Sequence, residues 1–599
     1  MAEIKNRNEI SNEYKWNLEA VYCNTKEFDE EYEKLKKRII DFKKYEGHTM
    51  DNADIFYESM QEEFEIYRIL EKLNVYASHS SDADVSDNYY QTLKDRVANL
   101  GNLCSENMYF TNVEMLHEDY SKIEKFMIDK PELKEYEKVL KDVYRYKNHT
   151  LSDAEEKLLS TLSSTFGNDE NTYGYLTDSD MTFGSIKDED DNIVELTDTN
   201  YSIYINSENR KVRIDAFKTL YKYYKQFGNT ITATLNGHIK QNVTLSKIKK
   251  YSSVLDRSLF YDDITKDVYD TLVNTVHENL DIFQEYFDLK KEVLGLDEMH
   301  FYDVYADLVS SSNKKYSFEE AKELVINSLS ILGEDYINNL KKAFNEKWID
   351  IYPNKNKRGG AYSGGAYDTY PYVLLNYQGK LDDVSTLAHE LGHSMHSFYT
   401  RNNQPYQYGD YSIFVAEVAS QVNEILLARY IYENSNSKEE KLNILNRLLE
   451  LLKGSFYRQT MFSEFEDYAY KLIENDDVIT ASKLQDKYYE LNKTYFKDSV
   501  VADDEIRYEW EKVPHFFYNY YVYKYATGIS AACDIATRIL NKEDGALDAY
   551  LNMLKSGSRL TPLETLKVAK VDMTDKHVYE SCANMFKDTL DEVKILLKK

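Results

Sequence analysis

Proline and glycine are scarce in this chain, six and twenty in 599 residues. With the two strongest helix breakers so rare, long stretches run uninterrupted and helix is expected to dominate. No run of 18 or more consecutive apolar residues occurs, and the opening MAEIKNRNEISNEYKW carries none at all. Neither a membrane span nor an export signal is expected. The four cysteines, Cys23, Cys104, Cys533 and Cys582, stand far apart without CxxC spacing. That argues against a thiolate metal site or a redox pair and fits free thiols in a reducing, cytoplasmic setting. Basic residues are outnumbered, 74 against 104 acidic, for a net charge of −30. Such a surface repels phosphate backbones and anionic lipid, so nucleic acid and membranes are not expected partners.

What is present is ample material for a large core: 42% hydrophobic and 14% aromatic residues. The length exceeds what one core usually organises, so two or more lobes with a cleft between them are expected. Residues 28–46, 318–332 and 439–453 place apolar residues at three- and four-residue spacing and predict amphipathic helices. The rhythm breaks twice. At 180–205, alternating residues flank an acidic turn at Asp188 to Asn192 and predict a β-hairpin, which closes an N-terminal helical region, 1–200, ahead of a larger region, 201–599. At 353–379, five glycines and two prolines in 27 residues predict a mobile loop followed by a strand, Tyr372 to Tyr377. Pro371 at its head suggests that one edge of this strand stays unpaired and can accept a peptide.

The chemistry concentrates at 382–400, DDVSTLAHELGHSMHSFYT. His389, Glu390 and His393 form an HExxH pattern on a predicted helix, with the histidines one turn apart on one face. Two imidazoles so placed suit a zinc ion, and the glutamate beside the first is placed to take a proton from water. Chance would supply roughly 0.02 such matches in a chain of this composition. Apolar neighbours Leu387, Ala388, Leu391 and Met395 would bury this helix, where unpaired imidazoles are costly. A hydrolytic zinc needs a third protein ligand. The continuation HxxGxxH fails, because His396 and Tyr399 stand where its glycine and histidine should be. Downstream, 412–433 predicts a second apolar helix carrying Glu417 and Glu424, seven residues apart on one face, either of which could complete the set.

HELGHSMH at 389–396, FVAEVASQVNE at 414–424, KRGGAYSGG at 357–365 and HFFYNYYVYKYATGISAA at 515–532 together resemble the oligoendopeptidase F branch of the thimet oligopeptidase-like zinc peptidases. The resemblance implies a mainly α, two-lobed zincin-type fold with a deep substrate channel and a small β-sheet near the active site, and places the catalytic part in residues 201–599. It implies one Zn2+ per chain on His389, His393 and Glu417, with Glu424 and Gln421 supporting those ligands from behind. Gln421 departs from the small hydroxyl residue expected at its position. The resemblance also makes His515, Tyr520 and Tyr523 cleft residues whose N–H and O–H groups would donate to an oxyanion. Tyrosine is so abundant, 55 residues, that without the resemblance the segment reads as core.

The expected function is cleavage of internal bonds in short peptides by a cytoplasmic, monomeric enzyme, with Glu390 as general base and then proton donor to the leaving amine. The peptide would pair with the strand at Tyr372 and Val373 while Gly359, Gly360 and Tyr362 close over it. Two rivals remain: a dipeptidyl carboxypeptidase or carboxypeptidase on the same scaffold, and a non-catalytic zinc-bearing peptide-binding protein.

Overall fold

Short polar side chains set where several helices begin. Asn52 accepts the backbone N–H groups of Asp54 and Ile55, both at 3.0 Å, at the head of Ala53–Ala83. Asn24 does the same for Thr25–Asp41, and Ser317 with Glu320 forms a reciprocal capping box ahead of Phe318–Ser328. Each cap satisfies amides that the first turn leaves without partners. The computed structural model describes residues 4–309 and 314–598. Helix dominates, as expected, up to the 39-residue Arg210–Ile248. The three amphipathic stretches appear as Thr25–Asp41, Phe318–Ser328 and Lys438–Leu452, each with its apolar positions buried. Among the described residues, no helix is long and apolar enough to cross a membrane.

The chain forms two compact units, each assembled from three stretches. The first comprises Met1–Asn148, Lys314–Leu427 and Arg538–Lys570, the second His149–Asn313, Ala428–Thr537 and Val571–Lys599. In the first, Trp16, Phe28, Leu35, Ile66, Leu73 and Leu100 share a core with Tyr372 and Leu374. In the second, the rings of Phe283, Phe287, Tyr457 and Phe496 interlock at centroid separations of 4.6 to 5.1 Å. This unit also holds the predicted hairpin, β1 (Ser185–Lys187) antiparallel to β2 (Ile193–Glu195). Its turn is tied by Asp188, which accepts from the backbone and side-chain nitrogens of Asn192.

The sheet of the first unit corrects one expectation. Its strands are β3 (Ile349–Asp350), β4 (Tyr362–Gly364) and β5 (Tyr372–Leu374), in the order β3-β5-β4. The expected edge strand is therefore the central one, parallel to β3 and antiparallel to β4. Pro371 precedes the ladder and so costs it no N–H. Tyr372 and Val373 are wholly buried, and the Tyr372 hydroxyl donates to Asn17 O at 2.7 Å. They cannot line a substrate cleft.

The glycine-rich segment is also not a free loop. Asn376 Nδ2 donates to the carbonyls of Arg358 and Gly360, Lys357 pairs with the buried Asp350 at 2.7 Å, and the chain returns as β4. A Cβ on Gly365 would lie 2.4 Å from Tyr370 O, so this glycine serves close packing. Gly360, at φ +78°, serves a left-handed turn.

Candidate metal centre

His389 and His393 sit on Leu381–Asn403, one turn apart, and Glu417 on the following helix, Ile413–Asn434. Gly392 lets the two helices meet closely, since a Cβ there would lie 2.5 Å from Ser420 Cα. Asn423 Nδ2 adds a cross-link, donating to Ala388 O at 3.0 Å. The close approach brings Glu417 to the histidine pair.

The two Nε2 atoms stand 3.2 Å apart, and Glu417 Oε2 lies 3.5 Å from that of His389 and 3.8 Å from that of His393. Ligand atoms in a tetrahedral zinc site, at about 2.0–2.1 Å from the ion, stand about 3.3 to 3.4 Å apart. The triangle matches this spacing, and two histidines with one carboxylate are the donor set of an open, hydrolytic zinc site. Among the described residues, these three form the one cluster of at least three histidine, cysteine or acidic side chains close enough to share an ion.

Glu424, expected from the resemblance to support the ligands, lies against His389. Its Oε2 accepts from His389 Nδ1 at 2.9 Å, which directs Nε2 at the metal position. Ser420 Oγ lies 3.4 Å from Glu417 Oε2. Gln421 is buried, but its Oε1 has no hydrogen-bond partner, and the structure shows no contact through which it supports a ligand. His396 remains outside the cluster. It is fully buried with its ring stacked on Tyr411 at 3.6 Å.

Electrostatics separate the groups. Burial pulls the pKa of His389 down, but the hydrogen bond to Glu424 and the charges of Glu424, Glu390 and Glu417 outweigh it and hold it near 9. Burial, with His389 alongside, pushes His393 down to about 3. Glu390 is buried, which lifts it to about 7, helped by the charges of Glu417 and Glu424 and opposed by His389 and by the nearby Ser363 backbone. Ser363 Oγ also meets Ser394 Oγ at 2.8 Å, so β4 lies against the HExxH helix. Sequence reasoning missed Ser363, Ser394, Tyr411 and Asn423. The glycine inside HELGH was the one available signal, because a mid-helix glycine costs stability unless close packing requires it.

In the second unit, the aromatic segment corrects a further expectation. Tyr520 and Tyr523 are wholly buried. Tyr520 stacks on Tyr470 and its hydroxyl donates to Asp467 at 3.2 Å, while Tyr523 packs on Tyr269 with its hydroxyl 3.5 Å from Asp262. Neither presents a hydroxyl to a ligand. The physical reason is that the segment is not one helix. A 3-10 turn, Pro514–Phe517, gives way to left-handed residues Asn519 and Tyr520 before the helix Tyr523–Leu540 starts, and this path turns the two rings named by the resemblance inward. The accessible rings are His515, Tyr518, Tyr521 and Tyr525. His515 lies 6.3 Å from Tyr521 and 6.0 Å from Tyr525 between centroids, and its pKa is lowered by burial.

The family model of peptidase family M3 matches residues 203–584, and that of oligopeptidase F matches 114–183. The oligopeptidase PepF of Bacillus subtilis (strain 168) is 41% identical over 597 residues, covering 100% of this chain and 89% of the relative. The group B oligopeptidase PepB of Streptococcus agalactiae serotype III (strain NEM316) is 37% identical, covering 99% of both. The crystal structure of oligoendopeptidase-F from Enterococcus faecium, 32% identical, superposes with a TM-score of 0.75 over 96% of this chain and 99% of that one. With its HExxH helix and Glu417 inside the matched region, this chain belongs to peptidase family M3 and is a metalloendopeptidase of its oligoendopeptidase F group.

Proposed function

We propose that the protein is a zinc-dependent oligoendopeptidase that hydrolyses internal bonds of short, unfolded peptides in the cytoplasm, as a monomer, with its catalytic machinery in residues 201–599. The observation that carries this reading is the triangle of His389, His393 and Glu417 with Glu390 beside it. A divalent ion held by the three ligands would supply Lewis acidity and lower the pKa of water to about 7.

Glu390 then does the proton work. Its carboxylate takes a proton from the attacking water and returns it to the leaving nitrogen, a task suited to a group poised near 7. Glu424, bonded to His389 Nδ1, orients that imidazole. The open strand beside the HExxH helix is β4, so the substrate backbone pairs there, at Tyr362 to Gly364, in place of β5. Gly359 and Gly360 shape the approach to β4. For the oxyanion donors that the resemblance assigned to His515, Tyr520 and Tyr523, the accessible His515, Tyr521 and Tyr525 are the candidates within the second unit. The test is digestion of blocked and unblocked peptides of graded length and of a natively folded protein, with and without chelator. Chelator-sensitive internal cleavage of blocked short peptides is expected. Removal of residues only from free termini, or ready digestion of the folded protein, contradicts the reading.

A further inference from the structure

Two consecutive left-handed residues that are not glycine lie between His515 and Tyr521. They are Asn519 and Tyr520, at φ +51° and +58°. Asparagine tolerates that region, but for tyrosine it is an outlier, and each such residue costs about 1 to 3 kcal/mol. The conformation persists because three helices grip it. From Gln459–Glu474, Glu466 Oε1 accepts the Tyr520 N–H at 2.6 Å and the Tyr470 hydroxyl donates to Asn519 Oδ1 at 2.6 Å. From Arg210–Ile248, His238 Nε2 meets the same Oδ1 at 3.1 Å. From Val254–Asp262, Ser258 Oγ donates to Asn519 O at 3.0 Å.

This turn reverses the chain so that Tyr521 lies near parallel to His515, at 25° between ring planes. The turn buries Tyr520 against Tyr470 and Tyr269 and leaves Asn519 and Tyr521, on either side of it, partly exposed. Strain over-determined by its surroundings is characteristic of functional sites. We infer that Glu466 is a positioning residue for the His515 and Tyr521 pair: by accepting the Tyr520 N–H it holds the left-handed turn that folds Tyr521 back onto His515. Glu466 is 2% exposed and its Oε2 has no partner, so the bond from the Tyr520 N–H is the one its carboxyl group makes. Burial pushes its pKa up to about 8, so the neutral amide of glutamine is a close stand-in that keeps the acceptor.

The inference rests on the reading that His515 and Tyr521 serve the reaction, and the test separates the two. In the full-length, metal-loaded enzyme, kcat and KM on a short blocked peptide are measured for Glu466→Leu, Glu466→Gln, His515→Ala, Tyr521→Phe and the double variant Glu466→Leu/His515→Ala, with metal content and Tm alongside. Glu466→Leu is expected to lower kcat about tenfold or more with KM and metal content little changed, because small misplacements are costly in turnover. Glu466→Gln stays within about twofold. In the His515→Ala background, Glu466→Leu costs little further, the non-additivity of residues acting as a unit.

If Glu466→Leu does not fold, Tyr470→Phe, which removes one grip on Asn519 and keeps the ring, replaces it, with a fall of at least threefold and the same non-additivity expected. A lowered Tm with unchanged kcat, or effects that multiply fully in the double variant, overturns the inference. Kinetically silent His515→Ala and Tyr521→Phe overturn the reading beneath it.

Discussion

Gly392, inside the HExxH motif, packs against the backbone of Ser420 so tightly that a Cβ on it would lie 2.5 Å from Ser420 Cα. This contact sets the separation between the helix that carries the two histidines and the helix that carries Glu417. Gly392→Ala forces them apart. The expected cost is about 1 to 3 kcal/mol, the scale of an overpacked core, together with at least tenfold weaker metal binding. Gly101→Ala is the control, at a helical glycine where an added Cβ would meet nothing within 4 Å. It should leave metal binding unchanged and raise Tm slightly. Thermal unfolding and chelator competition on both variants check the pair, and an unchanged metal affinity in Gly392→Ala would contradict this role for the glycine.

Glu417 and Glu424 differ in what they touch, and their variants should differ accordingly. Glu417 Oε2 faces both imidazole Nε2 atoms, so Glu417→Ala should empty the site or come close to it. Glu424 bonds the far nitrogen of His389, so Glu424→Ala should weaken the metal by about 10- to 100-fold. Metal analysis after dialysis decides between them, and the reverse order would reassign the ligand.

Metal affinity should depend on pH through His389. In the metal-free protein its pKa is held near 9, whereas that of His393 is near 3. Below about 9, an arriving ion must therefore displace a proton from His389, so the apparent Kd should rise about tenfold per pH unit as pH falls, and proton release should accompany binding. Calorimetric titrations at pH 7.5 and 8.5 in buffers of different ionisation enthalpy measure both. Binding with no proton release would refute the assignment of the proton to His389.

The aromatic segment offers a contrast between neighbours. Tyr521→Phe removes a hydroxyl from an accessible ring and should lower turnover by about 10²- to 10³-fold if that hydroxyl stabilises developing charge. Tyr523→Phe removes a buried hydroxyl 3.5 Å from Asp262 and should shift Tm while leaving turnover within a few fold. Kinetics on the two proteins, prepared with equal metal content, distinguish them. A larger loss for Tyr523→Phe would return that residue to the site.

Much of the metal centre was legible because helical periodicity is a local property. The four-residue spacing puts His389 and His393 on one face, and the seven-residue spacing does the same for Glu417 and Glu424, whatever the rest of the fold. The sheet was not legible, because strand order depends on a long-range pairing. Nothing local to 372–374 tells that 349–350 and 362–364 will cover both its edges. Pro371 misled because a proline just before a strand is as harmless in the centre of a sheet as at its edge. Tyr520 and Tyr523 failed for another reason. Two left-handed non-glycine residues carry no compositional signature, so positions carried over by resemblance do not tell which of the following rings turn inward.

The central claim is that Glu390, and not only the metal ligands, carries the proton transfers. Glu390→Gln keeps the shape of the side chain and touches none of the three ligands, so the measurement is turnover of a short blocked peptide by this variant at verified metal content. A full complement of metal with kcat lower by several orders of magnitude is the predicted result. Near-normal cleavage by the metal-loaded variant would contradict it.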